Sequence, residues 1–242
     1  MADWLTTPEG RRIAYHLTRG EGVPVAFLGG FRSDMEGTKA VHLEAWAKQQ
    51  GRPFLRFDYS GHGESEGTFE DGAIGDWASD ARAALALLDG PAVLVGSSMG
   101  GWISLLISRD SPERVAGLVT IAAAPDFTTN MWDEFDEAAR AALMAAGVHY
   151  RPSAYGDPYP ITRRLIEEGP ENFLLDRPLA LPMPVRMLQG TADEDVSQHT
   201  ALKLLDHAEA SDIRLTLVKG ADHRFSTPEC LALIEAAIDE VS

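Results

Sequence analysis

The feature that most constrains the fold is a regular alternation of short apolar runs with helical patterns. Seven runs of β-branched and other apolar residues end in turn residues and cover 11–18, 23–30, 53–58, 92–96, 115–123, 184–190 and 213–220. Nearly all of them are typical of strands that are buried on both faces of a sheet. Helical patterns lie between most of the runs, at 37–51, 76–90, 98–110, 197–209 and 227–241. This alternation predicts an α/β fold with a mostly parallel sheet and helices on both faces.

One long segment departs from the alternation. Residues 126–183 contain a helical pattern over 132–146, an aromatic and proline-rich stretch over 149–161, and a short helical pattern over 162–169. An insertion of this length in an α/β chain is usually a lid or another functional excursion. We therefore predict a single domain over 1–242 with a lid insertion at approximately 126–183.

Composition excludes several classes of partner. The formal net charge of −16 at pH 7 opposes binding to nucleic-acid phosphates and anionic membranes, so we expect no nucleic acid and no stable membrane anchor. The single cysteine, Cys230, excludes an internal disulfide and suits a reducing compartment. No apolar signal core and no apolar run of membrane-spanning length is present, so the expected location is cytoplasmic. A monomer and a homodimer are both compatible with the sequence.

Two stretches contain the pattern G-x-S-x-G, in which a serine can act as a nucleophile. Gly96–Gly100 follows a strand pattern and precedes a helix pattern, which is the context that a serine on a sharp turn requires. Its central residue, Ser98, would lie at a helix N-terminus, where backbone N–H groups and the helix dipole favour negative charge. Ser97 occupies the variable position before it and is interpreted as a small turn residue.

The second match is centred on Ser65, within 63–67. No apolar helix pattern begins there, and the flanking carboxylates of Glu64 and Glu66 would oppose a developing oxyanion. We interpret Ser65 as a structural residue of a loop that leaves a strand.

An activated serine needs a base and an acid that orients the base, and on this fold type they follow it in the order acid, then histidine. Asp193 lies three residues after the strand-ending Gly190 and is the favoured acid, with Asp195 as the alternative. His223 lies in the loop after the last strand pattern and is the favoured base. The other histidines have weaker positions for this role: His16, His42, His62, His149, His199 and His207. No metal-ligand spacing is present, so we expect no metal and no cofactor.

The reaction would also need two backbone N–H donors for an oxyanion. One donor is expected from the residue after the nucleophile, Met99, and the other from the loop after the third strand. Phe31 is the expected second donor, because it follows the Gly29–Gly30 pair that leaves that strand. The glycine pair is also compatible with a plain tight turn.

Aromatic residues are frequent in the lid segment. They either border an acyl pocket or pack the lid against the core, and the sequence leaves both roles open. These residues are Trp132, Phe135, Tyr150, Tyr155 and Tyr159.

Five stretches together carry a resemblance to a known family: GTKA at 37–40, RFDYSGHGES at 56–65, VGSSMGGW at 95–102, GTADEDV at 190–196 and DHRF at 222–225. Over nearly its full length the chain resembles the α/β-hydrolases, and within them the mitochondrial palmitoyl-protein thioesterases and acyl-glucuronide esterases. The resemblance implies a triad of Ser98, Asp193 and His223. It also implies hydrolysis of an ester or thioester on a small molecule or an acylated protein. A general carboxylesterase and a non-catalytic binding protein on the same fold are the alternatives.

Overall fold

The computed structural model describes residues 1–153 and 156–242, with side chains for all of these except 152, 153, 156 and 157. Its strands are β1 (Asp3–Thr6), β2 (Arg12–Thr18), β3 (Val25–Leu28), β4 (Phe54–Phe57), β5 (Ala92–Ser97), β6 (Val115–Ile121), β7 (Val148–Ser153), β8 (Gly156–Thr162), β9 (Leu179–Ala180), β10 (Val185–Gly190), β11 (Ala208–Glu209) and β12 (Ile213–Val218). Its α-helices are α1 (Thr38–Gln50), α2 (Ile74–Leu85), α3 (Met99–Asp110), α4 (Phe127–Glu134), α5 (Glu137–Ala146), α6 (Arg163–Glu168), α7 (Gln198–His207) and α8 (Pro228–Glu240).

An eight-stranded sheet, in the order β1-β2-β4-β3-β5-β6-β10-β12, forms the centre of the molecule. β2 runs antiparallel to both of its neighbours, β1 and β4. The remaining pairs of adjacent strands are parallel. All seven predicted strands lie in this sheet, so the prediction of a mostly parallel α/β fold is confirmed.

The strand β5 shows how the sequence pattern builds the two faces of the sheet. Its Leu94 belongs to the apolar cluster that also contains Trp77 of α2 and Trp102 of α3. The adjacent Val93 and Val95 belong to a second cluster, formed with α1 and α8. Because successive strand residues point to opposite faces, a continuous apolar run buries β5 on both sides.

The helix predicted over 132–146 is divided in the structure into α4 and α5. Phe135 has an extended backbone, and the side chain of Asp136 accepts a hydrogen bond of 2.7 Å from Ala139 N–H. An aspartate that bonds the free N–H groups of a new first turn favours a helix start over a continuous helix.

The proline-rich stretch after α5 forms a hairpin, which the sequence pattern did not indicate. β7 and β8 pair antiparallel, with Tyr150 opposite Pro160 and His149 opposite Ile161. A two-stranded ribbon has only edge strands, and edge strands accept proline because one side of each needs no ladder hydrogen bond.

No helix among 1–153 and 156–242 is long and apolar enough to cross a membrane.

The break between α4 and α5 can be tested through Asp136. Replacing this N-cap by alanine removes the bond to Ala139 and costs about 1 kcal/mol of local helix stability. In Asp136→Ala we expect hydrogen exchange of α5 backbone amides to be about fivefold faster. Asp133→Ala in α4 is the matched control, because Asp133 is exposed and its pair with Arg140 spans 4.0 Å. Equal exchange in the two variants would contradict the role of Asp136 as a cap.

Candidate active site

Ser98 occupies a strained turn between β5 and α3. Its backbone has φ 54° and ψ −116°, a conformation that a residue with a Cβ rarely adopts. The Ser98 N–H donates to Ile121 O at the end of β6, at 2.9 Å. The turn therefore holds the Ser98 side chain at the start of α3, at the edge of the sheet where the parallel strands end.

The glycines on either side of Ser98 are required by close backbone approach. A Cβ at Gly96 would collide with the Gly100 backbone and with Ser104 Oγ. A Cβ at Gly100 would collide with the carbonyls of Leu28 and Gly29 at the end of β3. Because these contacts are mostly with backbone, no side-chain movement would relieve them. The spacing of the G-x-S-x-G pattern thus follows from the packing of α3 against β3 and β5.

His223 and Asp193 meet across two neighbouring strand ends. Asp193 follows β10 and His223 follows β12, and these strands are parallel and adjacent. His223 Nδ1 lies 2.9 Å from Asp193 Oδ2. The Asp193 side chain is fully buried, whereas that of His223 is 19% exposed. Of the two acids that the sequence left open, Asp193 is the one on His223 Nδ1; Asp195 is exposed and lines the pocket mouth.

The surroundings of Asp193 keep it ionised. Burial by itself would raise the pKa of this carboxyl, but the hydrogen bonds from His223, Val196 and Gln189 hold its pKa below the usual value. Asp195 N–H and Val196 N–H donate to Oδ1 at 2.9 and 2.8 Å, and Gln189 Nε2 donates to Oδ2 at 3.0 Å. An ionised carboxylate only accepts hydrogen bonds, so the His223 proton lies on Nδ1 and Nε2 is free to act as a base.

Gln189 is a component of this site that sequence reasoning missed. It is fully buried near the end of β10, and its Nε2 also contacts Val196 O at 3.0 Å. Gln189 therefore ties the loop that carries Asp193 to its own strand. The sequence shows only that a polar residue, Gln189, lies near the end of a strand. This does not indicate which group its side chain bonds.

The loop after β3 lies directly beside Ser98. A Cβ at Gly30 would come within 3.4 Å of Ser98 Cβ, so the loop backbone and the serine are neighbours. Ser33 N–H donates to Gly30 O at 3.2 Å, and the Ser33 hydroxyl donates to the same carbonyl at 2.8 Å. The tight turn therefore covers residues 30–33 and begins at the second glycine of the pair. The turn's own hydrogen bond uses the Ser33 N–H and leaves out the Phe31 N–H.

Ser98 and His223 line one pocket of about 490 Å³. One wall is apolar and includes Phe31, Phe127, Met131 and Tyr159. The lining also carries polar and charged groups: Ser33, Asp34, Thr38, Lys39, Arg151, Asp195, Arg224 and Ser226. Burial lowers the pKa of Lys39 to about 8, and its ammonium group donates to Arg224 O.

The aromatic residues of the lid segment divide between the two roles. Tyr159 lines the pocket. Trp132 and Phe135 pack in a small apolar cluster with Leu143 and Ile161, and Tyr150 is 57% exposed. Tyr155 lies outside the described residues. Phe127 and Met131 of α4 line the pocket without having been predicted, although their spacing of four places them on one helix face.

The remaining candidates occupy structural positions. Ser65 is buried, donates to Asp58 O at 2.7 Å and accepts from Ala14 N–H at 2.8 Å. His62 is buried among aromatic rings, and this burial lowers its pKa to about 4. His42 pairs with Glu235 at 2.6 Å, on the far side of α1. Ser97 is a buried residue at the end of β5.

The fold is that of the α/β-hydrolase class. The chain belongs to the alpha/beta hydrolase family, whose sequence profile matches residues 26–237. It is a hydrolase, as the sequence resemblance predicted.

Its relatives include human palmitoyl-protein thioesterase ABHD10, mitochondrial, which is 32% identical over 241 residues, covering 98% of this chain and 79% of that protein. A similar solved structure is the mouse alpha/beta hydrolase domain-containing protein 10, with a TM-score of 0.92 at 32% identity, covering 100% of this chain and 98% of that one. A crystallised protein from Agrobacterium vitis S4 has a TM-score of 0.94 at 39% identity, with the same coverage of 100% and 98%.

Ser65 can be separated from a catalytic role by its effect on stability. In Ser65→Ala, Ala14 N–H loses its acceptor, and the free energy of unfolding falls by about 1–3 kcal/mol in urea titration. Ser108→Ala is the matched control, because Ser108 Oγ is buried without a partner in the described part of the chain. A destabilisation in Ser108→Ala as large as that in Ser65→Ala would contradict this interpretation.

The lowered pKa of Asp193 makes stability depend on pH. A carboxyl with a folded pKa below its unfolded value stabilises the fold above that unfolded value, about 3.9, and loses this effect as the pH falls. We expect the unfolding free energy of wild type to exceed that of Asp193→Asn by the largest amount above about pH 5. The difference shrinks below about pH 4. Urea unfolding at a series of pH values measures this difference.

Glu168 provides a control of opposite sign. Its burial raises the pKa of the carboxyl despite hydrogen bonds from Gly75 and Asn172, so protonation of Glu168 is easier in the folded protein than in the unfolded chain. Wild type therefore gains stability relative to Glu168→Gln as the pH falls. The same trend in both variants would contradict the assignment for Asp193.

Proposed function

We propose that the chain is a serine hydrolase that cleaves acyl thioesters and esters through Ser98, His223 and Asp193. The observation that carries this proposal is the 2.9 Å hydrogen bond between His223 Nδ1 and the buried, ionised Asp193, in the pocket that Ser98 also lines. A histidine–aspartate pair with a purely structural role does not require a strained serine in the same pocket. Nucleophilic catalysis requires the serine, the base and the acid together.

In the first step Ser98 Oγ attacks the acyl carbonyl while His223 Nε2 takes the hydroxyl proton. Asp193 holds the imidazole in the required tautomer and stabilises its charged form. The carbonyl oxygen becomes an oxyanion that accepts hydrogen bonds from the N–H groups of Phe31 and Met99. Met99 follows Ser98 in the chain, Phe31 follows Gly30 beside Ser98, and the positive end of the 12-residue helix α3 adds to the stabilisation.

In the second step the tetrahedral intermediate collapses and the bond to sulfur or oxygen breaks. His223 returns its proton to the leaving thiolate or alkoxide, and the acyl group remains on Ser98. A thiolate is a weaker base than an alkoxide, so it leaves with less help from the acid. Water then attacks the acyl-enzyme with His223 as base, which releases a carboxylic acid and restores Ser98. No step requires a cofactor.

The apolar wall of the pocket supports an acyl chain as the bound group. Phe127, Met131 and Tyr159 all belong to the segment 126–183, which we propose to be a lid of the single hydrolase domain. The pocket volume of about 490 Å³ lies within the range of small-molecule sites, about 300–1,000 Å³. The mammalian relatives are named as palmitoyl-protein thioesterases, which supports thioesters as the preferred class here.

Covalent labelling tests the nucleophile. We expect a fluorophosphonate probe to label wild type and Ser65→Ala, and not Ser98→Ala. Replacement of Ser98 lowers kcat by at least about 10³-fold, because the residual activity comes only from binding and the oxyanion donors. Labelling that persists in Ser98→Ala and disappears in Ser65→Ala would overturn the site. Failure of the probe on folded wild type would favour a non-catalytic binding protein.

A substrate panel tests the preferred class. Matched acyl thioesters and oxygen esters of increasing chain length are compared by kcat/KM, with Ser98→Ala as the blank. We expect thioesters to be preferred over oxygen esters of the same acyl group, and longer acyl chains to lower KM as they cover more of the apolar wall. A preference for short oxygen esters would instead identify a general carboxylesterase.

A further inference from the structure

Arg32 connects the loop beside Ser98 to the hairpin of the lid segment. It follows Phe31 directly, and its Nη1 donates to Pro158 O in β8 at 2.8 Å. We infer that Arg32 is a positioning residue for catalysis. Its side chain couples the placement of the β7–β8 hairpin to the orientation of the Phe31 N–H. The inference rests on the proposed function, in which that N–H binds the oxyanion.

The backbone at Arg32 is unusual for an arginine. Its φ is 55°, in the left-handed region where glycine is unstrained and residues with a Cβ are not. Arg32 is the third residue of the turn that Ser33 N–H closes on Gly30 O, and a positive φ at this position of a turn usually selects glycine or asparagine. An arginine at such a position points to a role for its side chain beyond the turn.

The same aromatic rings contact both Phe31 and Arg32. The Phe31 ring meets the rings of Phe69 and Tyr159 edge-on, with centroids 4.9 and 5.9 Å away. The Arg32 guanidinium lies 5.6 Å from the centroid of Phe69 and 6.0 Å from that of Tyr159. Phe69 lies outside the lid, whereas Tyr159 and Pro158 belong to β8. The arginine therefore bridges the body of the protein and the hairpin at the residue next to the oxyanion donor.

This geometry predicts an effect on the transition state more than on substrate binding. Oxyanion donors act when they lie about 2.7–3.1 Å from the developing charge, and a displacement of about 1 Å costs on the order of 100-fold in rate. Loss of the Arg32 bridge removes the hydrogen bond between the loop and the hairpin, and leaves the Phe31 N–H to be positioned by the turn and by the ring contacts of Phe31. Phe127 and Met131 of α4 keep their contacts, and among the described residues Tyr159 is the one apolar lining residue that belongs to the hairpin, so substrate affinity changes less than kcat.

The test compares steady-state kinetics of wild type and Arg32→Ala on an acyl thioester. We expect kcat to fall by about 10- to 100-fold with KM within about threefold. A trifluoromethyl ketone that forms a tetrahedral adduct loses affinity by the same factor as kcat/KM, whereas the product fatty acid binds as before. Arg32→Lys keeps a charged donor and recovers part of kcat. Arg32 is exposed, so these variants are expected to fold, which thermal unfolding checks.

Arg140→Ala is the matched control. Arg140 also donates to a backbone carbonyl, Trp132 O at 3.0 Å, and also lies over an aromatic ring, at 5.0 Å from the Trp132 centroid. It joins α5 to α4 within the lid and is expected to leave kcat within about twofold of wild type.

The outcomes separate the two proposals. If Ser98→Ala is inactive and Arg32→Ala keeps the wild-type kcat, the inference about Arg32 is overturned and the proposed function stands. An equal loss of kcat in Arg140→Ala also overturns the inference, because any loosening of the lid would then suffice. If Ser98→Ala retains activity, the proposed function itself fails.

Discussion

The strained backbone at Ser98 is the constraint on which the rest of the structure depends. A non-glycine residue at φ 54° costs on the order of 1–3 kcal/mol and persists only where its surroundings over-determine it. Three strands and one helix fix this backbone: Ser98 follows β5 directly, a carbonyl of β6 accepts its N–H, and the carbonyls at the end of β3 lie against Gly100 of α3. The sheet order places β3, β5 and β6 side by side, so the position of Ser98 is determined mainly by the sheet and less by the loops.

The parts of the structure that the sequence predicted are those with a local pattern. Seven of the eight strands of the main sheet followed from apolar runs, whereas the short edge strand β1 was not predicted. The turn at Ser98 followed from two glycines in a strand–helix context. Asp193 and His223 could be paired because parallel strands end at the same edge of a sheet, which brings the loops after β10 and β12 together. Gln189 could not be placed in this way, because the conformation of the loop decides that its amide reaches Asp193 and Val196, and a polar residue in a strand does not indicate that conformation.

The lid segment resisted prediction for two physical reasons. Helical periodicity continued across Phe135 and Asp136, and only the competition of the Asp136 side chain for backbone N–H groups ends one helix and starts another. The prolines of the next stretch argued against strands, yet a two-stranded ribbon tolerates them at its edges. The aromatic contacts of Phe31 also stayed hidden, since a glycine pair by itself indicates a turn and says nothing of the rings that surround it.

The segment 126–183 connects two adjacent parallel strands, and this position limits how the segment can vary. β6 and β10 are adjacent and parallel, with Leu118 opposite Val185, so the chain between them must return from one edge of the sheet to the other. Such a crossover needs at least about a dozen residues and is nearly always right-handed. The part of this segment that lines the pocket can therefore change in length or sequence while the sheet stays the same, but the connection itself cannot be deleted. Part of the pocket lining thus lies on a crossover connection whose minimum length is fixed by the sheet and whose sequence is not.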